Sequence, residues 1–152
     1  MNNSTSYWLK KGIHNGMPIA LGYLAVSFTL GIAAKNAGLT ALQAALASIT
    51  CHASAGEFAG FTLIAALAAY TEIAVMELII NARYFLMSCA LSQKLDNKMP
   101  FFHRLIMGLF VTDEIFGLTV SVPEKLNPAY MYGMVLVASP AWVLGTYFGV
   151  LF

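Results

Sequence analysis

The sequence predicts an all-α, polytopic helical membrane protein with about five hydrophobic segments, the second broken into a re-entrant helical hairpin. Three observations carry that expectation. Of 152 residues, 59% are hydrophobic and only 10% charged, against roughly 25% charged in a typical soluble chain. The apolar residues form stretches long enough to cross a bilayer, which takes about 20 helical residues. Ionisable and polar residues (Glu77, Asn81, Arg83, Asp113 and Glu114) lie inside those stretches. A charge in hydrocarbon is costly, so such side chains face a bundle interior or a watery cavity and mark a pathway or binding site.

The elements follow in order. Residues 16–34 read as the first crossing, with Asn15 as its cap and Pro18 in its first turn, where a missing N–H costs little. This run exceeds the apolar core of a signal peptide, about 7–15 residues. A short link, 35–39, leads to a second segment over 40–70, too long for one simple span. The third covers 72–92. The link 93–104 is basic, with Lys94, Lys98 and Arg104 against Asp96. The fourth covers 105–122, a turn-rich link 123–128, and the fifth runs from 129 to the end, with Pro140 as a kink. The whole chain, 1–152, reads as a single helical transmembrane domain.

Orientation argues for the hairpin. Cytoplasmic loops carry excess Lys and Arg, which places both Lys10–Lys11 and the link 93–104 inside. Three single crossings would put that link outside. A second segment that enters and returns to the same face removes the conflict; segments three, four and five then run in, out and in. Ser54-Ala55-Gly56-Glu57 also fits the capping box S-x-x-E, so a new helix is expected near Ala55, at membrane depth. Half-helices over 42–52 and 55–70 are each too short to span. The alternative is one long tilted helix with a glycine packing contact.

Broken helices bind substrates in transporters, because a half-helix N-terminus offers N–H groups and partial positive charge to an anion. Ser54, Ala55, Gly56 and Glu57 would form such a site, with Gly56 permitting close approach, an amino-acid carboxylate as the fitting anion, and Glu57 holding the ammonium or carrying a proton. Glu77 and Asn81, four apart, share one helix face, and Asn81 joins the substrate set. Arg83 lies on another face, which suggests burial among neighbouring helices, and needs a carboxylate partner, Asp113 or Glu114. Glu77, Arg83, Asp113 and Glu114 therefore read as a proton or ion-pair network; the alternative is a fixed pair that only orients helices. His52 reads as a core histidine or part of a proton route. Tyr130, Tyr132, Trp142, Tyr147 and Phe148 read as packing and interfacial anchors, and Gly22, Gly31, Ala44, Ala47, Ala59 and Gly60 as close-packing positions.

Other chemistries find little support. Cys51 and Cys89 are lone thiols in apolar stretches, and no Cys/His pair sits at metal-ligand spacing. There is no phosphate-binding P-loop, no H-E-x-x-H and no G-x-S-x-G. No basic, aromatic-interleaved run points to nucleic acid. No catalytic residue, metal or cofactor is expected.

The ordered set Pro18, Gly22-Tyr23 and Gly31, then Ser54-Ala55-Gly56-Glu57-Phe58, then Asn81-Ala82-Arg83-Tyr84, then Thr112-Asp113-Glu114-Ile115-Phe116 resembles the AzlC-type branched-chain amino acid permease family over nearly the whole chain. The N-x-R and T-D-E elements together are its most specific parts. The resemblance implies a bacterial inner-membrane amino-acid exporter or permease working with a small AzlD-type membrane subunit; Lys10 and Lys11 place its N-terminus on the cytoplasmic side. The family usually carries Gln where this chain has Glu57, a change that adds a titratable group. Its chains usually continue through further hydrophobic segments, so the resemblance implies a short member, a fragment or half of an assembly. The expected function is export of branched-chain or similar small amino acids by alternating access, with proton coupling through Glu57, Glu77 or Asp113. The competing expectation is a non-transporting assembly subunit in the lipid bilayer.

Overall fold

The computed structural model describes residues 4–123 and 125–152; Glu124, in the turn-rich link, lies outside them. The described residues form seven helices and no strand: α1 (Thr5–Asn36), α2 (Ala41–Cys51), α3 (Ser54–Ala65), α4 (Tyr70–Lys94), α5 (Phe101–Leu109), α6 (Asp113–Ser121) and α7 (Pro128–Leu151). Among the described residues, only α1, α4 and α7 are long and apolar enough to cross a membrane.

Local chemistry explains the boundaries. Ser4 Oγ accepts the Tyr7 amide at 3.3 Å, so α1 starts well before residue 16. Pro18 consequently lies inside the helix rather than in its first turn. Asn15 is not a cap; its Nδ2 donates to the Tyr130 hydroxyl at 2.8 Å. Gly38, at φ +80, turns the chain out of α1. A reciprocal capping box, Thr40 with Gln43, opens α2. Pro128 opens α7 at the first helical position, where proline is pre-organised.

The second hydrophobic segment is broken, as its sequence suggested. His52 takes the left-handed conformation (φ 48) and closes α2. The expected capping box is not what starts α3. Ala53 is the N-cap, with no side-chain cap bond, and the Glu57 amide donates instead to the Ala53 carbonyl at 2.8 Å. The Glu57 carboxyl is drawn away by stronger partners described below.

The fourth segment is broken as well, where the sequence suggested one continuous crossing. α5 ends at Phe110, and α6 starts at Thr112, whose hydroxyl accepts the Ile115 amide at 3.5 Å. Asp113 and Glu114 fill the first turn of α6, where acidic side chains complement the exposed N–H groups.

The chain folds into two compact units, and α1, α4 and α7 each contribute a part to both. One unit takes residues up to Ile19 and Arg83–Ala138. Its core gathers Leu91, Met107, Ile115, Met131 and Met134. There a Cβ on Gly12 would strike the Tyr130 carbonyl, and one on Gly16 would lie 2.8 Å from the Met134 backbone. The other unit takes Ala20–Ala82 and Ser139–Phe152. In it, a Cβ on Gly145 would meet Ser27, and one on Gly31 would meet Thr146 and Gly149. In each unit the paired numbers rise together along α1 and α7, so the two helices run parallel. Opposite directions were expected from five alternating segments; the fourth segment is here two short helices, α5 and α6, in place of one long one. This is the small-residue packing of membrane helices, although Gly22 takes no part in it.

The expected burial of α4 does not hold. Leu91 is its one buried residue among those described, while Val75, Leu78, Ile79, Phe85 and Leu86 are exposed. An apolar helix face of this kind suits lipid or a neighbouring membrane helix, neither of which demands polar surface.

Candidate functional site

The break between α2 and α3 gathers the polar residues of the second unit. Glu57 sits one turn into α3 and is only 3% exposed. Trp142 of α7 donates its indole N–H to Oε1 at 2.7 Å. Ser48 of α2 lies 2.7 Å from Oε2 and 2.8 Å from the Thr146 hydroxyl. Thr146 Oγ1 in turn lies 3.2 Å from the Trp142 carbonyl, one turn back on α7. Ser48 and Thr146 are fully buried. His52 packs edge-on to Tyr23 and Trp142, and its Nε2 lies 3.2 Å from Ser139 Oγ.

A second cluster comes from α4. Asn81 Nδ2 donates to Glu77 Oε2 at 2.7 Å, joining two residues placed on one face by their spacing. Both rest on Gly56: a Cβ there would lie 2.7 Å from Glu77 Oε2 and 2.9 Å from Asn81 Nδ2. The absence of a side chain at Gly56 admits these α4 groups close to the α3 turn. Cys51 Sγ approaches Glu77 Oε2 at 3.9 Å. Asn81 Oδ1 is buried without a hydrogen-bond partner among the described residues.

Between the clusters lies a cavity of ≈ 350 Å³. Glu57 and Glu77 both line it, and its remaining walls include Ala47, Phe61, Ile64 and Ile73. No lysine or arginine is among its lining residues. The cavity thus offers two carboxylates against an aliphatic surface.

Of the expected substrate set, Gly56, Glu57 and Asn81 come together here, with Glu77 beside them. Ser54 is half-buried and caps nothing; Ala55 is exposed. The remaining residues belong to the other unit. There Arg83 Nη1 pairs with Asp113 Oδ2 at 2.9 Å, the two side chains 43% and 47% exposed. Arg83 Nη2 also donates to the Tyr84 hydroxyl at 3.2 Å. Glu114 is exposed. An ion pair this open to its surroundings contributes little stability, about 0–1 kcal/mol in water.

Sequence reasoning missed Ser48, Trp142 and Thr146. Trp142 was read as a packing and interfacial anchor, and nothing in the spacing of Ser48 or Thr146 ties them to Glu57.

Broken short helices between long apolar ones, with a buried carboxyl group at a break, define a helical membrane protein with a polar site at that break. Comparison with known proteins narrows this. The AzlC protein family matches residues 18–152, and the chain belongs to that family. It is 34% identical over 148 residues to an uncharacterized membrane protein of Archaeoglobus fulgidus, covering 97% of this chain and 64% of that protein. It is 22% identical over 143 residues to the inner membrane protein YgaZ of Escherichia coli, covering 91% of this chain and 58% of that one. An uncharacterized membrane protein of Helicobacter pylori is 26% identical over 146 residues, covering 92% of this chain and 62% of that one. The chain spans less than two thirds of the length of these curated relatives. No solved structure matches.

Proposed function

We propose that this chain is a transporter subunit that exports branched-chain or similar small amino acids by alternating access. The observation that carries this reading is the cavity of ≈ 350 Å³ whose aliphatic walls bear two carboxylates and no cation. An amino acid with a hydrocarbon side chain complements it: the side chain lies against Phe61, Ile64 and Ile73, and the ammonium faces Glu57 and Glu77. The unpartnered Asn81 Oδ1 adds an acceptor for an N–H donor. The first turn of α3, with Ser54, Ala55 and Gly56, faces the substrate carboxylate, as half-helix N-termini do in transporters. Proton coupling runs through this site.

In this reading both broken segments are re-entrant. α1 then runs out, α4 in and α7 out, which agrees with the parallel course of α1 and α7 and leaves the basic link 93–104 on the inside with the N-terminus. The host membrane is the bacterial inner membrane, and a small AzlD-type subunit is the partner.

Vesicles loaded with labelled leucine test the reading. Efflux is expected from the wild-type chain with its partner subunit and to fall at least tenfold in Glu57→Ala and Asn81→Ala, with insertion intact. Equal efflux from wild type, variants and empty vesicles would overturn it. Labelling of introduced cysteines tests the topology: positions 70 and 98 are expected on opposite faces.

The exposed apolar face of α4 favours a second reading, a non-transporting assembly subunit whose Arg83–Asp113 pair only orients helices. It predicts that substitutions at Glu57 and Asn81 disturb assembly alone.

A further inference from the structure

We infer that Glu57 is a proton-binding site, held in a frame of hydroxyl groups that accepts both its ionised and its protonated form without moving a heavy atom. The inference deepens the transport reading, on which its use depends, but its test does not.

The argument is a count of hydrogens. Three oxygen–oxygen approaches form a chain: Glu57 Oε2 to Ser48 Oγ, Ser48 Oγ to Thr146 Oγ1, and Thr146 Oγ1 to the Trp142 carbonyl. Each hydroxyl supplies one hydrogen and can accept others, and a backbone carbonyl only accepts. If Thr146 donates to the carbonyl, Ser48 must donate to Thr146. The hydrogen between Ser48 and Glu57 then has to come from Glu57. All three links are therefore made at once only when the carboxyl is protonated. When it is ionised, the order reverses: Thr146 donates to Ser48, Ser48 donates to Oε2, and the link to the carbonyl opens. That carbonyl loses little, since it belongs to the continuous helix α7. Trp142 donates to Oε1 in both forms.

The proton balance is simple. Release breaks the Oε2–H bond and forms an O–H bond on a water molecule entering the cavity that Glu57 lines, which leaves as hydronium; the Ser48 and Thr146 hydroxyls rotate to follow. The chain ends at a carbonyl, so it stores a state and conducts nothing onward.

The charged and titratable neighbours favour such exchange. From α4, Glu77 faces Glu57 across the cavity. From α2 come the Cys51 thiol and, at its C-cap, His52. From α7, Trp142 and Thr146 are neutral, and from α1 Tyr23 packs on Trp142. The single lysine or arginine of this unit is Lys35, in the last turn of α1. Losing the proton therefore places a negative charge in a cavity without a Lys or Arg lining it, and a cationic ammonium is its natural replacement. Proton and substrate ammonium exchange at Glu57.

Infrared difference spectroscopy on the full chain in detergent, without substrate, tests this. As pH falls, a carboxylic C=O band is expected to appear in wild type and in Glu77→Gln and to be lost in Glu57→Gln. Ser48→Ala removes the acceptor of the Glu57 proton and is expected to shift that band to higher frequency. Identical difference spectra for wild type and Glu57→Gln would overturn the inference. If Glu57→Gln does not fold, an unshifted band in Ser48→Ala would do so. The two proposals fail separately: a Glu57 band without leucine efflux removes transport and leaves the proton site, whereas efflux without the band does the reverse.

Discussion

The two breaks in this chain are built alike and dressed differently. Each lies between a pair of short helices, and each second helix carries the same pattern: Glu57-x-x-Gly60-Phe61-Thr62 in α3 and Glu114-x-x-Gly117-Leu118-Thr119 in α6. In both, the threonine hydroxyl bonds back to its own helix, Thr62 to the Phe58 carbonyl and Thr119 to that of Phe116. The α5/α6 break is capped by the Thr112 hydroxyl, and Asp113 beside it is neutralised by Arg83. The α2/α3 break has no side-chain cap, and its carboxylates, Glu57 and Glu77, meet no lysine or arginine in their cavity. One break is chemically closed. The other keeps a buried carboxyl group satisfied only by neutral donors, an arrangement that costs stability and is useful where charge must come and go.

Four comparisons between variants break or sharpen that contrast. The largest effect is expected from Glu57→Leu. It strands the buried Trp142 indole N–H, at about 1–3 kcal/mol for a buried group left unpaired, and leaves Ser48 with Thr146 alone. Thermal unfolding in detergent should show it, and a smaller loss than for Asp113→Leu would reverse the ranking of the two breaks. Next comes Gly56→Val, which forces Glu77 and Asn81 off the α3 turn; overpacking of this kind costs about 1–3 kcal/mol. Its counterpart Gly117→Ala meets nothing within 4 Å and should gain about 0.5–1 kcal/mol of helix stability. Third, Thr112→Ala is expected to cost about 1 kcal/mol as a lost cap, whereas Ser54→Ala, which caps nothing, should stay within about 0.5 kcal/mol of wild type. Equal losses would mean that the α3 start depends on Ser54 after all. The smallest effect is expected from Asp113→Asn, at most about 1 kcal/mol and weakened further by salt.

Much of the fold was legible. Hydropathy located the long helices to within a few residues, apart from the early start of α1, because membrane helices need unbroken apolar length and little else. The α2/α3 break was anticipated near the right residues for a reason that proved wrong: the S-x-x-E pattern is present, but Glu57 finds better donors in Ser48 and Trp142 than in the backbone. The α5/α6 break carried its own signal, an N-cap threonine followed by two acids, which the apolar length of the segment masked. At the site, spacing alone joined Glu77 to Asn81, since one helical turn separates them.

What the amino-acid order determined by itself was a helical membrane chain with charge set inside apolar segments. Periodicity and composition act locally, and each residue carries that information with it. Which donors meet Glu57 was decided only by tertiary packing. Ser48, Trp142 and Thr146 come from α2 and α7, and the close approach of small residues on α1 and α7 helps bring those helices into place. No local rule reaches from residue 57 to residue 146.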